Sequence, residues 1–87
     1  MGMQGIQQDA DGWLHWPRTE YMYEGWAKLL PDPHRPMPYG GRAILISCVD
    51  GDFVVMNKQD QILYGHFSTL AEAKIAGQAA YAKEVPG

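Results

Sequence analysis

The fold is decided by residues 42–57, which read RAILISCVDGDFVVMN. Two runs of β-branched and aliphatic residues flank the polar Asp50-Gly51-Asp52. Asp-Gly between two such runs is a strong hairpin signal, because glycine adopts positive φ freely and aspartate tolerates it. Residues 57–60, which are all polar, supply a second turn, and residues 61–67 a third strand. The sequence therefore predicts a three-stranded antiparallel meander.

A helix is expected after the third strand. Thr69 precedes Glu72 by three residues, which is a capping box that satisfies backbone N–H groups at a helix start. The helix is predicted from about Leu70 to Lys83, and Pro86-Gly87 end it. Small residues on one side allow its backbone to approach the sheet closely. They are Ala73, Ala76, Gly77 and Ala80.

Both faces of the predicted sheet are apolar. With Asp50-Gly51 as the turn, one face carries Ile44, Ile46, Cys48, Phe53 and Val55. The other face carries Leu45, Val49, Val54 and Met56. A half-solvated antiparallel sheet alternates apolar and polar residues instead. We therefore expect the C-terminal helix to cover the first face, and either the N-terminal half of the chain or a second subunit to cover the other.

The N-terminal half concentrates aromatic residues. Five of the ten Trp, Tyr and Phe residues lie between Trp13 and Trp26. Thr19 followed by Glu20 is typical of a helix start, and Pro31 would end that helix. Apolar residues recur in between at the helical period of 3.6. They are Met22, Tyr23, Trp26, Leu29 and Leu30. We expect an aromatic helical segment here, and before it residues 13–17 predict an edge strand or an extended arm.

A chain of 87 residues has the length of one domain. Residues 1–12, rich in Gly and Gln, are predicted to be a flexible tail. Residues 13–87 are predicted to form a single α+β domain: a three-stranded antiparallel β-meander with a C-terminal helix packed on one face and the N-terminal aromatic helical segment. Within it, residues 31–41 hold four prolines and end in Gly40-Gly41. They predict a stiff extended connector.

Composition excludes several classes of protein. The net charge of −3 disfavours a protein that coats nucleic acid. Cys48 is the single cysteine, so no internal disulfide forms, and no Cys/His cluster suits zinc. The longest apolar run is far shorter than the roughly 20 residues of a membrane span, and no signal peptide is evident. We expect a soluble cytoplasmic protein with no metal, no cofactor and no membrane contact.

Catalytic residues are hard to find. His15, His34 and His66 are the groups that titrate near neutrality, and none has a Ser, Cys or carboxylate at motif spacing. Asp50 and Asp52 are explained by the turn, since the ligand series of a calcium loop is absent. We expect no enzyme activity. A small enzyme that uses His66 or His15 is the least supported alternative.

The junction between the third strand and the helix, residues 65–74, reads GHFSTLAEAK. It resembles the junction in the ethylene-response-factor DNA-binding domain and in phage integrase arm-binding domains. The resemblance implies DNA binding through the sheet, for which this chain offers Arg42, Lys58 and Lys74. Those families read DNA with Arg and Trp side chains on strands that are aliphatic here. Nucleic-acid binding is therefore the alternative function.

The same junction is similar to small phage and prophage proteins. The helix–strands–helix order also resembles double-stranded-RNA-binding domains, but Leu70, Ala71 and Glu72 stand where their basic cluster lies. Excess apolar and aromatic surface predicts a non-catalytic accessory domain that binds a protein partner, with a homodimer as one form of partner. The candidate interaction residues are Trp13, Trp16, Tyr23 and Trp26.

Overall fold

Six antiparallel strands and one helix make up the part of the chain that the structure describes. The structure is a computed structural model and describes residues 6–30, 42–57 and 61–84. The strands lie side by side in chain order, each antiparallel to the next. The elements are β1 (Gln7–Gln8), β2 (Leu14–Trp16), β3 (Gly25–Leu30), β4 (Arg42–Val49), β5 (Asp52–Asn57), β6 (Ile62–Phe67) and α1 (Leu70–Glu84).

The central hairpin is confirmed. Cys48 pairs with Phe53 across β4 and β5, as the turn at Asp50-Gly51 requires. The φ angles of these two turn residues are 51° and 87°, so both are positive, as in a type I′ turn. β4 has the predicted bounds, and β6 begins one residue later than predicted. The second predicted turn lies partly outside the described residues.

The prediction of a three-stranded meander is wrong, because the N-terminal half adds three strands to the same sheet. Trp26 of β3 pairs with Ile46 of β4. His15 of β2 pairs with Trp26, and β1 adds Gln7 beside His15. Residues 7–8, which were expected in a flexible tail, thus belong to the sheet. The sheet has six strands. The aromatic segment adds strands to one edge of the sheet instead of packing over it as a helix.

The helix predicted from Thr19 is absent. The side-chain oxygen of Thr19 accepts hydrogen bonds from the N–H groups of Tyr21 and Met22, so the group expected to cap a helix closes a turn. Trp26 and Leu30 are four residues apart, a spacing that suits one side of a helix and equally one face of a strand. Pairing with β4 decides between the two, and tertiary contacts override the local pattern.

α1 covers one face of the sheet, as predicted. The N–H of Glu72 donates to the side-chain oxygen of Thr69 over 3.2 Å, and the Thr69 hydroxyl donates to the Glu72 carboxylate over 3.1 Å. Ala73, Gly77 and Ala80 are the buried residues of α1, so the predicted close approach is confirmed. The buried core between the two layers consists of Trp13, Trp26, Leu30, Ile44, Ile46, Val55, Ala73 and Ala80.

The other face of the sheet carries one apolar row across five strands. The row consists of Leu14, Ala27, Leu45, Met56 and Leu63. Trp13 and Trp26 lie on the α1 side, so the N-terminal half of the chain, one of the two covers expected for this face, does not place them over it. Trp16 alone of the three lies here, over Gly25. The predicted connector, residues 31–41, lies outside the described residues. The one helix in the described ranges lacks the length and apolar character to cross a membrane.

Candidate interaction surface

The loop that joins β2 to β3, residues 17–24, is held by hydrogen bonds at its tip and at its base. At its tip, the N–H of Thr19 donates to the carbonyl of Met22 over 2.9 Å, closing the turn described above. At its base, Nε1 of Trp16 donates to the carbonyl of Tyr23 over 3.2 Å. The backbone of the loop is therefore fixed before any partner arrives.

Three consecutive large side chains project from this loop. Tyr21 is 89% exposed, Met22 51% and Tyr23 48%. A shallow cleft of about 260 Å³ lies between the loop residues, from Arg18 to Tyr23. Tyr, Met and Arg are enriched at protein interfaces. All three offer a large contact area, and Tyr and Arg also end in a polar group. The loop thus combines a fixed backbone with interface-type side chains.

A histidine–carboxylate pair joins β2 to Glu24, the last residue of the loop. Nε2 of His15 lies 2.7 Å from Oε2 of Glu24. The imidazole stacks on Trp26, with ring centroids 4.9 Å apart and planes at 17°. Both members of the pair are about one-third exposed, 33% for His15 and 38% for Glu24. Glu24 was not predicted as a partner. Its contact with His15 holds the last residue of the loop against β2.

The structure separates the four predicted interaction residues into two groups. Trp13 and Trp26 are 1% and 5% exposed and belong to the core. Trp16 is half-buried and Tyr23 is exposed, and their hydrogen bond brings them together at the loop. The interaction surface that remains is this pair together with its neighbours on the loop.

Tyr21 and Met22 are the most exposed of the large apolar side chains on the loop and were not predicted as interaction residues. The signal that could have identified them is Thr19, two and three residues before them. Its hydroxyl can close a short turn as readily as it can cap a helix. In the turn, unlike in a helix, both following side chains point to solvent.

Of the predicted catalytic candidates, the structure brings His15 beside a carboxylate, that of Glu24. His66 is exposed on β6, Cys48 is half-buried on β4, and His34 lies outside the described residues. Within residues 6–30, 42–57 and 61–84 there is no group of three or more His, Cys, Asp or Glu that could hold a metal ion.

Of the three cations of the nucleic-acid alternative, Lys74 is the one whose side chain the structure describes. Arg42 begins β4, and Lys58 lies outside the described residues. The Lys74 ammonium pairs with Asp9 at 2.5 Å and with Asp11 at 3.2 Å. Burial lowers the pKa of Lys74, but the hydrogen bonds to both carboxylates outweigh it and hold the pKa above its usual 10.5. Lys74 therefore joins α1 to the turn between β1 and β2.

Comparison with known proteins adds no family to this geometry. No protein-family model, no curated protein and no solved structure matches the chain. The resemblances to DNA-binding and phage-type families rest on the sequence pattern alone. The function proposed below therefore rests on the surface of the β2–β3 loop.

Proposed function

We propose that the protein is a non-catalytic interaction module that binds a partner protein through the β2–β3 loop. One observation carries the proposal: Tyr21, Met22 and Tyr23 are exposed side by side on a hydrogen-bonded loop. Burying a large apolar side chain contributes roughly 1.5–3 kcal/mol. A fixed loop delivers this gain to a partner with little loss of conformational entropy on binding.

The charges around the loop indicate the kind of partner surface that fits. Arg18 and Glu20 are exposed on the same loop as the apolar tip and carry opposite charges. Interfaces of this type have an apolar centre and a polar rim. The partner surface therefore has an apolar pocket that accepts a tyrosine ring and polar groups around it. The similarity of the strand–helix junction to small phage proteins supports an accessory role, and the unpaired Cys48 suits the reducing cytoplasm.

The first step of the test identifies the partner. A photoreactive benzophenone side chain is placed at position 21 of the full chain, and a second variant carries it at position 63. Leu63 is 59% exposed on β6 and serves as the matched control. We expect position 21 to cross-link one protein in cells of the source organism, and position 63 not to do so. Equal yields of the same products at both positions would overturn the proposal.

The second step measures affinity with the purified cross-linked protein. We expect Tyr21→Ala to weaken binding by at least about 30-fold, the effect of an interface hot spot. Leu63→Ala should bind as the unmodified chain does. Circular dichroism of both variants checks that the fold is retained. If Tyr21→Ala binds with unchanged affinity, the loop is not the docking surface.

A further inference from the structure

α1 is apolar on the side that faces away from the sheet as well as on the side that packs against it. Ala71, Ile75, Ala79 and Ala82 follow one another at helical spacing and share the outer side. All four are exposed, and Ile75 is 73% exposed. A helix that covers a sheet normally presents a polar outer side. The outer side of α1 therefore has the composition of a contact surface.

A groove runs beside this stripe of four residues. It has a volume of about 550 Å³ and lies between α1 and the turn that leads to β2, lined by Trp13, Gln78, Ala79 and Ala82 among others. The ion pairs of Lys74 with Asp9 and Asp11 hold that turn against α1. The groove is therefore preformed. Ile75 forms part of its lining, together with Asp11 and Lys74.

The same surface thus holds both halves of a contact, a projecting apolar side chain and an apolar groove. A surface with both halves can pair with a second copy of itself about a two-fold axis, because each copy then supplies what the other needs. The alanines Ala71, Ala79 and Ala82 allow two helix axes to approach to about 8 Å. This geometry favours a second copy of the chain over an unrelated partner.

Charge selects the direction in which the two helices would run. At about 100° per residue, Glu72 and Lys83 lie roughly 60° and 80° from Ile75 on the same flank of α1. A two-fold axis between antiparallel helices brings equal flanks together with their directions reversed. Each Glu72 then faces Lys83 of the other copy, and opposite charges meet twice. In a parallel pair, Glu72 of one copy would instead face the turn of the other copy that holds Asp9 and Asp11, and like charges would meet.

From this juxtaposition we propose that two copies of the chain associate through an antiparallel contact between their α1 helices, with Ile75 of each copy packed in the groove of the other. α1 has 15 residues and is about 22 Å long. Such a contact buries less than the roughly 1,600 Å² of a standard interface. The dimer is therefore weak and reversible.

Analytical ultracentrifugation of the full chain across the micromolar concentration range tests the contact. We expect the average mass to rise from one copy to two. Ile75→Lys should weaken the dimer by at least about tenfold, because it removes the apolar side chain and places a charge against the apolar part of the groove lining. Leu63→Lys, at an exposed position on β6, should not weaken it. A chain that stays monomeric, or an Ile75→Lys variant that dimerises normally, overturns the proposal.

A pair of charge variants tests the antiparallel direction. Glu72→Lys gives two positive groups on the flank, and Lys83→Glu gives two negative groups. Each variant alone should dimerise more weakly than the unmodified chain, and an equimolar mixture should form heterodimers. Homodimers of normal strength in each variant would contradict the arrangement. Circular dichroism confirms that α1 is retained, and Tyr21→Ala should dimerise normally, so this result is independent of the loop.

Discussion

The indole of Trp13 lies directly against the backbone of Gly77. A β-carbon built on Gly77 would be 2.7 Å from Cη2 of Trp13, closer than real contacts allow, and 3.6 Å from Cγ2 of Ile44. Trp13 is 1% exposed at this position. Glycine inside a helix costs about 1 kcal/mol relative to alanine. At position 77 this cost is offset by the burial of a complete indole.

Gly77→Ala should therefore destabilise the protein although alanine favours the helix. We expect the free energy of unfolding to fall by about 1–3 kcal/mol, the usual effect of overpacking. Urea unfolding measures it. Trp13→Phe removes the atoms that clash, so the double variant should lose less than the sum of the two single variants. An increase in stability for Gly77→Ala alone would show that the indole moves aside without cost.

Gly51→Ala tests a different role of glycine. Gly51 has a φ of 87°, and a β-carbon there would meet nothing within 4 Å. The cost should therefore arise from the backbone alone, at about 1–2 kcal/mol. Gly51→Asn is the matched control, because asparagine tolerates positive φ better than alanine does. If both variants unfold at the same urea concentration as the unmodified chain, the turn does not depend on positive φ.

The core should respond to truncation far more than the outer sheet surface does. Ile46 is 0% exposed and lies between Trp26 and Val55 in the sheet. Ile46→Ala should lower the free energy of unfolding by about 2–5 kcal/mol. Leu63→Ala, at an exposed position, should change it by less than about 0.5 kcal/mol. Comparable losses in the two variants would place Leu63 in a buried contact.

Asp9 joins the turn before β2 to α1 by two kinds of bond. Its Oδ1 accepts hydrogen bonds from the N–H groups of Asp11 and Trp13, and its Oδ2 binds the Lys74 ammonium. Burial raises the pKa of Asp9, but Lys74 and the two N–H groups together outweigh it. The pKa of Asp9 is held below its usual 3.8. The folded state therefore prefers the carboxylate more than the unfolded state does.

The stability from Asp9 should thus be present above about pH 4 and be lost as the pH falls through the lowered pKa of the folded state. Asp9→Asn keeps an oxygen for the two N–H groups and removes the charge, at a cost of roughly 0.5–1 kcal/mol at pH 7. Asp9→Ala removes both and should cost more. Urea unfolding from pH 7 into acid checks this. A stability difference between the unmodified chain and the Asp9→Asn variant that stays constant down to about pH 2 would contradict it.

The parts of the fold that were predicted correctly have local signals. Asp50-Gly51 can adopt the turn without help from distant residues, and Thr69 with Glu72 can start α1. β3 was missed because Trp26 and Leu30 have a spacing that fits a helix and a strand. β1 and β2 have two and three residues, so they form only where a neighbouring strand offers hydrogen bonds.

The candidate surface was predicted in part for a related reason. Trp13 and Trp16 are three residues apart, so in an extended chain they point to opposite faces of a sheet. Only the strand pairing reveals that Trp13 faces α1 and Trp16 does not. The contact of His15 with Glu24 spans a loop, and that of Asp9 with Lys74 spans 65 residues. Neither contact has a sequence motif.

The order of the elements has a consequence for synthesis on the ribosome. All six described strands precede α1, so the hairpin around Asp50-Gly51 leaves the ribosome before α1 does. Until α1 follows, Ile44, Ile46 and Val55 have no covering layer. The nascent chain is therefore most vulnerable to aggregation, and most open to a chaperone, just before its helix emerges.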